Sequence, residues 1–264
     1  MAQAYRNPVQ AGVTRLYHYE PFYPAWLAKT LSEKKVHCSI PANLNDPWDC
    51  NPYFDDRSFQ TEEQINEFLI WLAGITDNKT PLPDLQRAAR DAGLYHNPDI
   101  RKGILAGFSA TNPKALSKCR IYCLTSDPCS TMMWSHYADK HRGICLKFRT
   151  DNNFLFIWAW EVLYRSEYPK WMPQDLDRDM ILTKAKDWSY EKEFRLIARL
   201  EVDETDPLKL YGDYLRIPSE ALEAVIVGCR GDYEAVCKIV NEHAPGVPIK
   251  RAVLTPNHYS LTIA

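Results

Sequence analysis

Several protein classes are set aside by what this sequence lacks. No apolar stretch among the 264 residues approaches the roughly 20 needed to cross a bilayer, and no apolar signal run precedes the cysteines. Net charge is nearly absent, at −2, which argues against a strongly electrostatic nucleic-acid binder while leaving room for a local basic groove. The eight cysteines, at 38, 50, 119, 123, 129, 145, 229 and 237, follow no small disulfide-scaffold spacing. Free thiols in a reducing cytoplasm are therefore expected, in a soluble protein that acts inside the cell or is injected into one. There is also no internal repeat, low-complexity tract or flexible linker. Aromatics, in contrast, are abundant: eight Trp, fifteen Tyr and nine Phe supply large buried areas and wide pocket walls. That composition suits a ligand-binding globule.

The periodicities predict one α+β domain, residues 1–264, interrupted by a helical insertion at about 58–117. Short strands are expected at 14–19, 35–40, 119–126, 143–148, 160–164, 192–200, 209–217, 224–229 and 247–254, with one more near "HYSLTI". Pro24 opens a helix, as proline is tolerated in a first turn. Ile65, Phe68, Leu69 and Leu72 mark one face of a helix in the insertion, which carries more helix at about 82–93 and 98–117. A short helix is predicted over 130–138, and Asp232 caps another. "PANLNDPWDCNP", 41–52, has three prolines and three asparagines and reads as an irregular loop.

Five stretches carry candidate chemistry. "YHY" places His18 between Tyr17 and Tyr19 on the first strand; a hydrogen-bonded strand histidine is the plain reading. "NLNDPWDC" holds Asn45, Asp46 and Asp49, whose side chains suit turn-making, whereas a metal would need further converging carboxylates. "MMWSHYADKHRGICLKF" puts Trp134, Ser135, His136 and Tyr137 on one short helix. Trp134 and Tyr137, three apart, are either core anchors or a platform for a flat ring. Zinc on Cys119, Cys123 and Cys129 with His136 or His141 matches no common ligand spacing, so no metal is expected. "GCRGD", 228–232, lacks a dinucleotide fingerprint and reads as a tight turn.

"KDWSYEKEFRLIARL" poses the sharpest question. In a strand, Glu191, Glu193 and Arg195 point one way and Tyr190, Phe194, Leu196 and Ala198 the other, with Lys192 breaking the apolar face. The two carboxylates are a solvated face, part of a metal-dependent nuclease, or a device to steady a developing cation. The nuclease pattern fits poorly, since Lys192 points to the other face.

Together "LYHY", "NDPWDC", "MWSHYADKHRGICLKF" and "DWSYEKEFR" resemble a bacterial and phage family labelled a domain of unknown function, over about 16–229. That family in turn resembles the ADP-ribosyltransferase superfamily. The resemblance implies two small mixed sheets around an NAD-binding cleft. It implies that His18 bonds the adenosine ribose, that Tyr137 stacks on nicotinamide, and that Glu193 steadies the oxocarbenium ion beside Glu191. Tyr17, Tyr19, Trp134, Ser135 and Arg195 would help hold NAD, with Asn45 and Asp46 bracing a wall. His18, Tyr137 and Glu193 should then line one cleft. The expected activity is NAD-consuming transfer of ADP-ribose to a protein, nucleic acid or water, in a toxin or anti-phage effector with an antitoxin or immunity partner. A non-catalytic nucleotide- or partner-binding module and a metal-dependent nucleic-acid enzyme are the alternatives.

Overall fold

Alternating side chains fix most of the strands, and turn residues fix where they stop. The computed structural model describes residues 5–51, 53–54, 59–75, 79–151, 154–168, 170–171, 179–200 and 202–264. The chain begins with β1 (Arg15–Glu20), α1 (Pro24–Glu33), β2 (Lys35–His37) and β3 (Tyr53–Phe54). Three helices follow: α2 (Glu62–Ile75), α3 (Leu82–Asp91) and α4 (Pro98–Leu116). Next come β4 (Cys119–Thr125), α5 (Thr131–Tyr137), β5 (Ile144–Arg149) and the short strands β6 (Ala159–Glu161), β7 (Leu163–Arg165), β8 (Lys170–Trp171) and β9 (Thr183–Ala185). The remainder holds β10 (Glu193–Arg199), β11 (Leu210–Tyr211), β12 (Tyr214–Arg216) and β13 (Leu222–Val227), then α6 (Tyr233–His243), β14 (Ile249–Leu254) and β15 (Leu261–Ile263).

The architecture is mixed α+β, and the chain divides into two compact units. The first comprises Met1–Ile40, Lys118–Tyr164 and Lys186–Ala264. Its eight-stranded sheet has the order β15-β14-β13-β5-β1-β4-β10-β6, a larger sheet than the two small ones expected. Within this sheet, among the described residues, β13 and β14 alone pair in parallel, and α6 makes their crossover. One face packs Leu16, Leu124, Leu146, Phe148, Phe194 and Leu196 against Leu27 and Leu31 of α1 and Val236 and Val240 of α6. The other packs Tyr19, Cys145 and Ile226 with Trp134 and Ala138, from α5 and its end. Apolar groups thus cover both faces, which is why β4 and β10 are buried almost throughout instead of alternating.

Local signals explain the ends of the helices. Pro24 sits in the first turn of α1, and Lys34 ends it in the left-handed region at φ 53. Ser130 accepts the Met133 N–H to start α5, and Asp232 accepts the Ala235 N–H to start α6. Two expected strands are corrected. The span 209–217 is a hairpin, β11 to β12, closed by a two-residue turn with Gly212 at φ +66. The span 160–164 is split into the end of β6 and the start of β7.

The second unit comprises Pro41–Ser117 and Arg165–Ala185. Ile65, Phe68 and Leu69 of α2 form its core with Phe59, Leu94 and Leu105, and Phe108 packs against them. The 3.6-residue spacing in the sequence announced this face. The parallel pairing of β3 with β8, Tyr53 opposite Lys170, brings the 165–185 segment into the unit, a long-range contact that no local pattern encodes.

Candidate active site around Glu191

The run of charges at 191–195 resolves into two separate devices. Lys192 adopts φ 45 and breaks the chain between a 3-10 turn, Lys186–Glu191, and β10. Glu191 and Glu193 are therefore not consecutive same-face positions of one strand, and that expectation is corrected. The solvated face is corrected as well: Glu191 is 3% exposed, Glu193 4% and Arg195 0%. Glu193 and Arg195, two apart on β10, form a fork-to-fork pair, Nε to Oε1 at 2.7 Å and Nη2 to Oε2 at 2.9 Å. A buried guanidinium needs such a partner, so the Glu193 carboxylate is committed to neutralising Arg195. The Glu193 backbone N–H donates to the Tyr164 hydroxyl at 2.9 Å; burial first, then the Glu193 charge, raises the Tyr164 pKa.

Glu191 is held differently. Its carboxylate accepts the Tyr137 phenol at 2.5 Å, and its backbone carbonyl accepts the Thr125 hydroxyl at 2.5 Å. Tyr137 ends the seven-residue helix α5, which β1 contacts from the sheet. A tier of rings adjoins the pair: His136 lies 6.3 Å from Tyr190, and Tyr190 lies 6.0 Å from Trp188. His136 is exposed while Trp188 and Tyr190 are half-buried, so this tier reaches the surface.

Strand register decides which other residues share the site. Tyr17 of β1 lies opposite Thr125 of β4, and Thr125 lies opposite Glu193 of β10. Directly opposed residues point to one face, so Tyr17, Thr125 and Glu193 form a row on the face that α5 covers. His18, one residue on, faces the other way and stacks on Tyr122 with ring centroids 4.3 Å apart. The expectation that His18, Tyr137 and Glu193 line one cleft is therefore corrected. A one-residue difference in register sends His18 to the α1 side of the sheet.

There the sheet forks. β1 pairs with β5 at six positions but with β4 only at Tyr17–Thr125. Beyond that point Ile121 of β4 bonds Ser39 instead, in both directions at 2.8 Å. His18 Nδ1 donates to the Cys123 carbonyl at 2.7 Å, satisfying an acceptor in the gap. His18 Nε2 stands 3.9 Å from the Glu20 carboxyl. Burial lowers the His18 pKa to about 4 and raises that of Glu20 to about 7, so both are neutral near pH 6. The Tyr122 hydroxyl, also on this side, is buried without a hydrogen-bond partner.

Residues 133–196 match the model of a family described as "Protein of unknown function (DUF2971)". No curated protein and no solved structure matches. The matched span runs from α5 into β10 and so contains Tyr137, Glu191, Glu193 and Arg195.

The remaining expected site residues are placed as follows. Trp134 is fully enclosed, donates Nε1–H to the Pro128 carbonyl at 2.9 Å and meets Tyr19 edge-on at 4.9 Å, so it is a core anchor rather than a stacking platform. Tyr19 is likewise buried, its hydroxyl donating to the Asp127 carbonyl at 2.8 Å. Arg195 is too enclosed to meet a ligand. Ser135 is exposed, and Tyr17 is half-buried in the cluster with Tyr137.

In the second unit, Asn45 is exposed and Asp46 is buried, accepting the Trp48 backbone N–H at 3.0 Å across its own turn. Nearby, Asp49 and Lys184 form a buried ion pair at 3.6 Å. A cavity of about 180 Å³, lined in part by Trp48, Tyr168, Thr183 and Lys184, adjoins them. Beyond the NDPWD cluster no local pattern announces it, because Lys184 lies 135 positions away from Asp49. Among the described residues no group of three or more His, Cys, Asp or Glu is placed to hold a metal ion.

Proposed function

We propose that this chain is an NAD-consuming enzyme of the ADP-ribosyltransferase kind, with Glu191 as the carboxylate that steadies the ribosyl cation. One observation carries the reading: the Glu191 carboxylate accepts the Tyr137 phenol and its backbone is held by the Thr125 hydroxyl, beside an aromatic tier open to the surface. Such preorganisation is what a transition state with developing positive charge rewards. In the step, the bond between the ribose anomeric carbon and nicotinamide breaks, and nicotinamide leaves with the electron pair. Glu191 lowers the energy of the oxocarbenium ion left behind. A hydroxyl, amine or water then bonds that carbon and releases its proton to solvent. The ring tier of His136, Tyr190 and Trp188 offers surfaces on which a flat base can stack. Glu193 takes a supporting part, because its charge is already balanced by Arg195. An acceptor that is protein or nucleic acid, use as a toxin or anti-phage effector, and an antitoxin or immunity partner belong to the same reading.

Purified protein incubated with NAD should release nicotinamide, measured by chromatography. Glu191→Gln should lower that rate by about 10²-fold or more, the usual scale for a preorganised electrostatic group, with NAD affinity little changed. A second reading, a non-catalytic binding module, is favoured by the deep burial of Glu191. It predicts saturable NAD or nucleotide binding with no nicotinamide released under any condition.

A further inference from the structure

A second concentration of function-bearing groups lies in the first unit, where three chain segments meet around a cavity of about 400 Å³. The turn after α5 contributes His141, the turn after β13 contributes Cys229 and Arg230, and β14 contributes Arg251. Among the described residues no Asp or Glu side chain lines the cavity. Arg230 is exposed and Arg251 half-buried, and among the described residues neither forms an ion pair. Arg251 is instead steered by weak contacts, Nη2 to the Cys229 and Gly231 carbonyls at 3.5 Å each and its guanidinium 5.6 Å from the Tyr233 ring. Two guanidiniums at one concavity, in a chain whose net charge is −2, make a local positive potential.

The backbone that presents His141 is strained in a way the surroundings enforce. Asp139, Lys140 and His141 follow one another in the left-handed region, at φ 44, 54 and 71. For residues with a Cβ each such conformation costs about 1 kcal/mol or more. The turn is pinned by N–H bonds from His141 to the Trp134 carbonyl (3.0 Å), from Gly143 to that of Ala138 (2.8 Å), and from Arg230 to that of His141 (3.0 Å). Gly228 packs its backbone directly on the His141 carbonyl, where a Cβ would collide. The strain thus fixes His141 beside Arg230. Its Nδ1 is buried with no hydrogen-bond partner, and burial followed by the Arg230 charge lowers its pKa.

We propose that this cavity binds the phosphoryl group of a small phosphorylated molecule. Planar, permanently charged guanidiniums match phosphate oxygens two at a time, and a cavity without carboxylates does not repel the ligand's charge. The N-terminus of α6 plays no part, since Asp232 caps it and Glu234 stands in its first turn. The site does not depend on the reading given to Glu191.

The probe is pyrophosphate, titrated into the intact protein by calorimetry at fixed ionic strength, with inorganic phosphate, a 5′-mononucleotide and the matching nucleoside as further arms. The expected result is saturable one-to-one binding of pyrophosphate and the mononucleotide and none of the nucleoside. Arg251→Gln and Arg230→Gln should each weaken binding by about tenfold or more, the scale of a charge-assisted bond. Glu191→Gln should leave it unchanged. Arg230 is exposed, so its variant will fold even if the Arg251 variant does not. Absence of saturation, or equal affinity in wild type and Arg230→Gln, overturns the proposal. Loss of nicotinamide release without loss of pyrophosphate binding would count against the enzyme reading alone.

Discussion

Replacing Glu193 by glutamine tests whether its carboxylate is structural, and the geometry sets the size of the effect. Arg195 is completely enclosed and receives both carboxylate oxygens within 2.9 Å. Glutamine keeps the shape and one acceptor but removes the carboxylate charge that is paired with this buried guanidinium. Breaking a buried pair from one side costs about 3–5 kcal/mol, a large part of the 5–15 kcal/mol that holds a typical domain together. For a chain of this length that is a fall in Tm of roughly 6–20 °C. Thermal and urea unfolding followed by circular dichroism would read it. Glu191→Gln supplies the contrast: it retains an acceptor for the Tyr137 phenol, so its cost should be about 1 kcal/mol. The double change Glu193→Leu with Arg195→Met removes both charges and should recover most of the loss, because apolar residues of similar volume replace a buried pair at little cost. If Glu193→Gln unfolds within about 0.5 kcal/mol of wild type, Arg195 is not electrically dependent on it, and the division of labour between the two glutamates fails.

The fork between β1 and β4 yields a pH prediction. Glu20 binds its proton more tightly folded, at about 7, than unfolded, near 4.5, so its burial is without penalty below pH 4.5 and costs stability as pH rises through 7. Glu20→Gln should therefore stabilise the protein at pH 8 relative to pH 5, by about 3 kcal/mol at most and roughly 2 after screening by water at its exposed fifth; equal effects of the substitution at the two pH values would refute this. His18 has the opposite sign: its folded value of about 4 makes stability fall as pH drops from 6.5 to 4, in wild type and Glu20→Gln alike. Gly228→Ala would drive a Cβ into the His141 backbone, which cannot swing aside as a side chain does. A loss of about 3 kcal/mol or more is expected by urea unfolding, and a neutral outcome would show the 139–141 turn to be free to move.

Much of the architecture was legible because it rests on local chemistry. Pro24 set the start of α1, Asp232 that of α6, and Ile65, Phe68 and Leu69 the buried face of α2. The failures have a common origin in tertiary structure. Nothing about lysine announces that Lys192 will take φ 45, yet that one residue takes Glu191 out of the strand. In 209–217, Gly212 is a turn signal, but the flanking Leu210, Tyr211, Tyr214 and Leu215 continue a strand pattern across it and so mask the hairpin.

The site was harder to read than the fold, and strand register explains why. Alternation establishes that His18 and Tyr17 point to opposite faces; it does not say which of them shares a face with Glu193. That depends on Tyr17 meeting Thr125 and Thr125 meeting Glu193, two pairings between segments more than 60 residues apart. Shift either by one residue and His18 joins the glutamates while Tyr17 leaves them. The charge pattern, by contrast, is informative. Glu193 and Arg195 are neighbours on one strand face, where opposite charges two positions apart can reach each other. Once apolar layers cover both faces, those two must pair, since neither charge can reach water. The carboxylate next to an arginine on a central strand is then the structural one. The glutamate just before the strand lies outside the ladder, its carboxylate accepting the Tyr137 phenol and its backbone carbonyl the Thr125 hydroxyl.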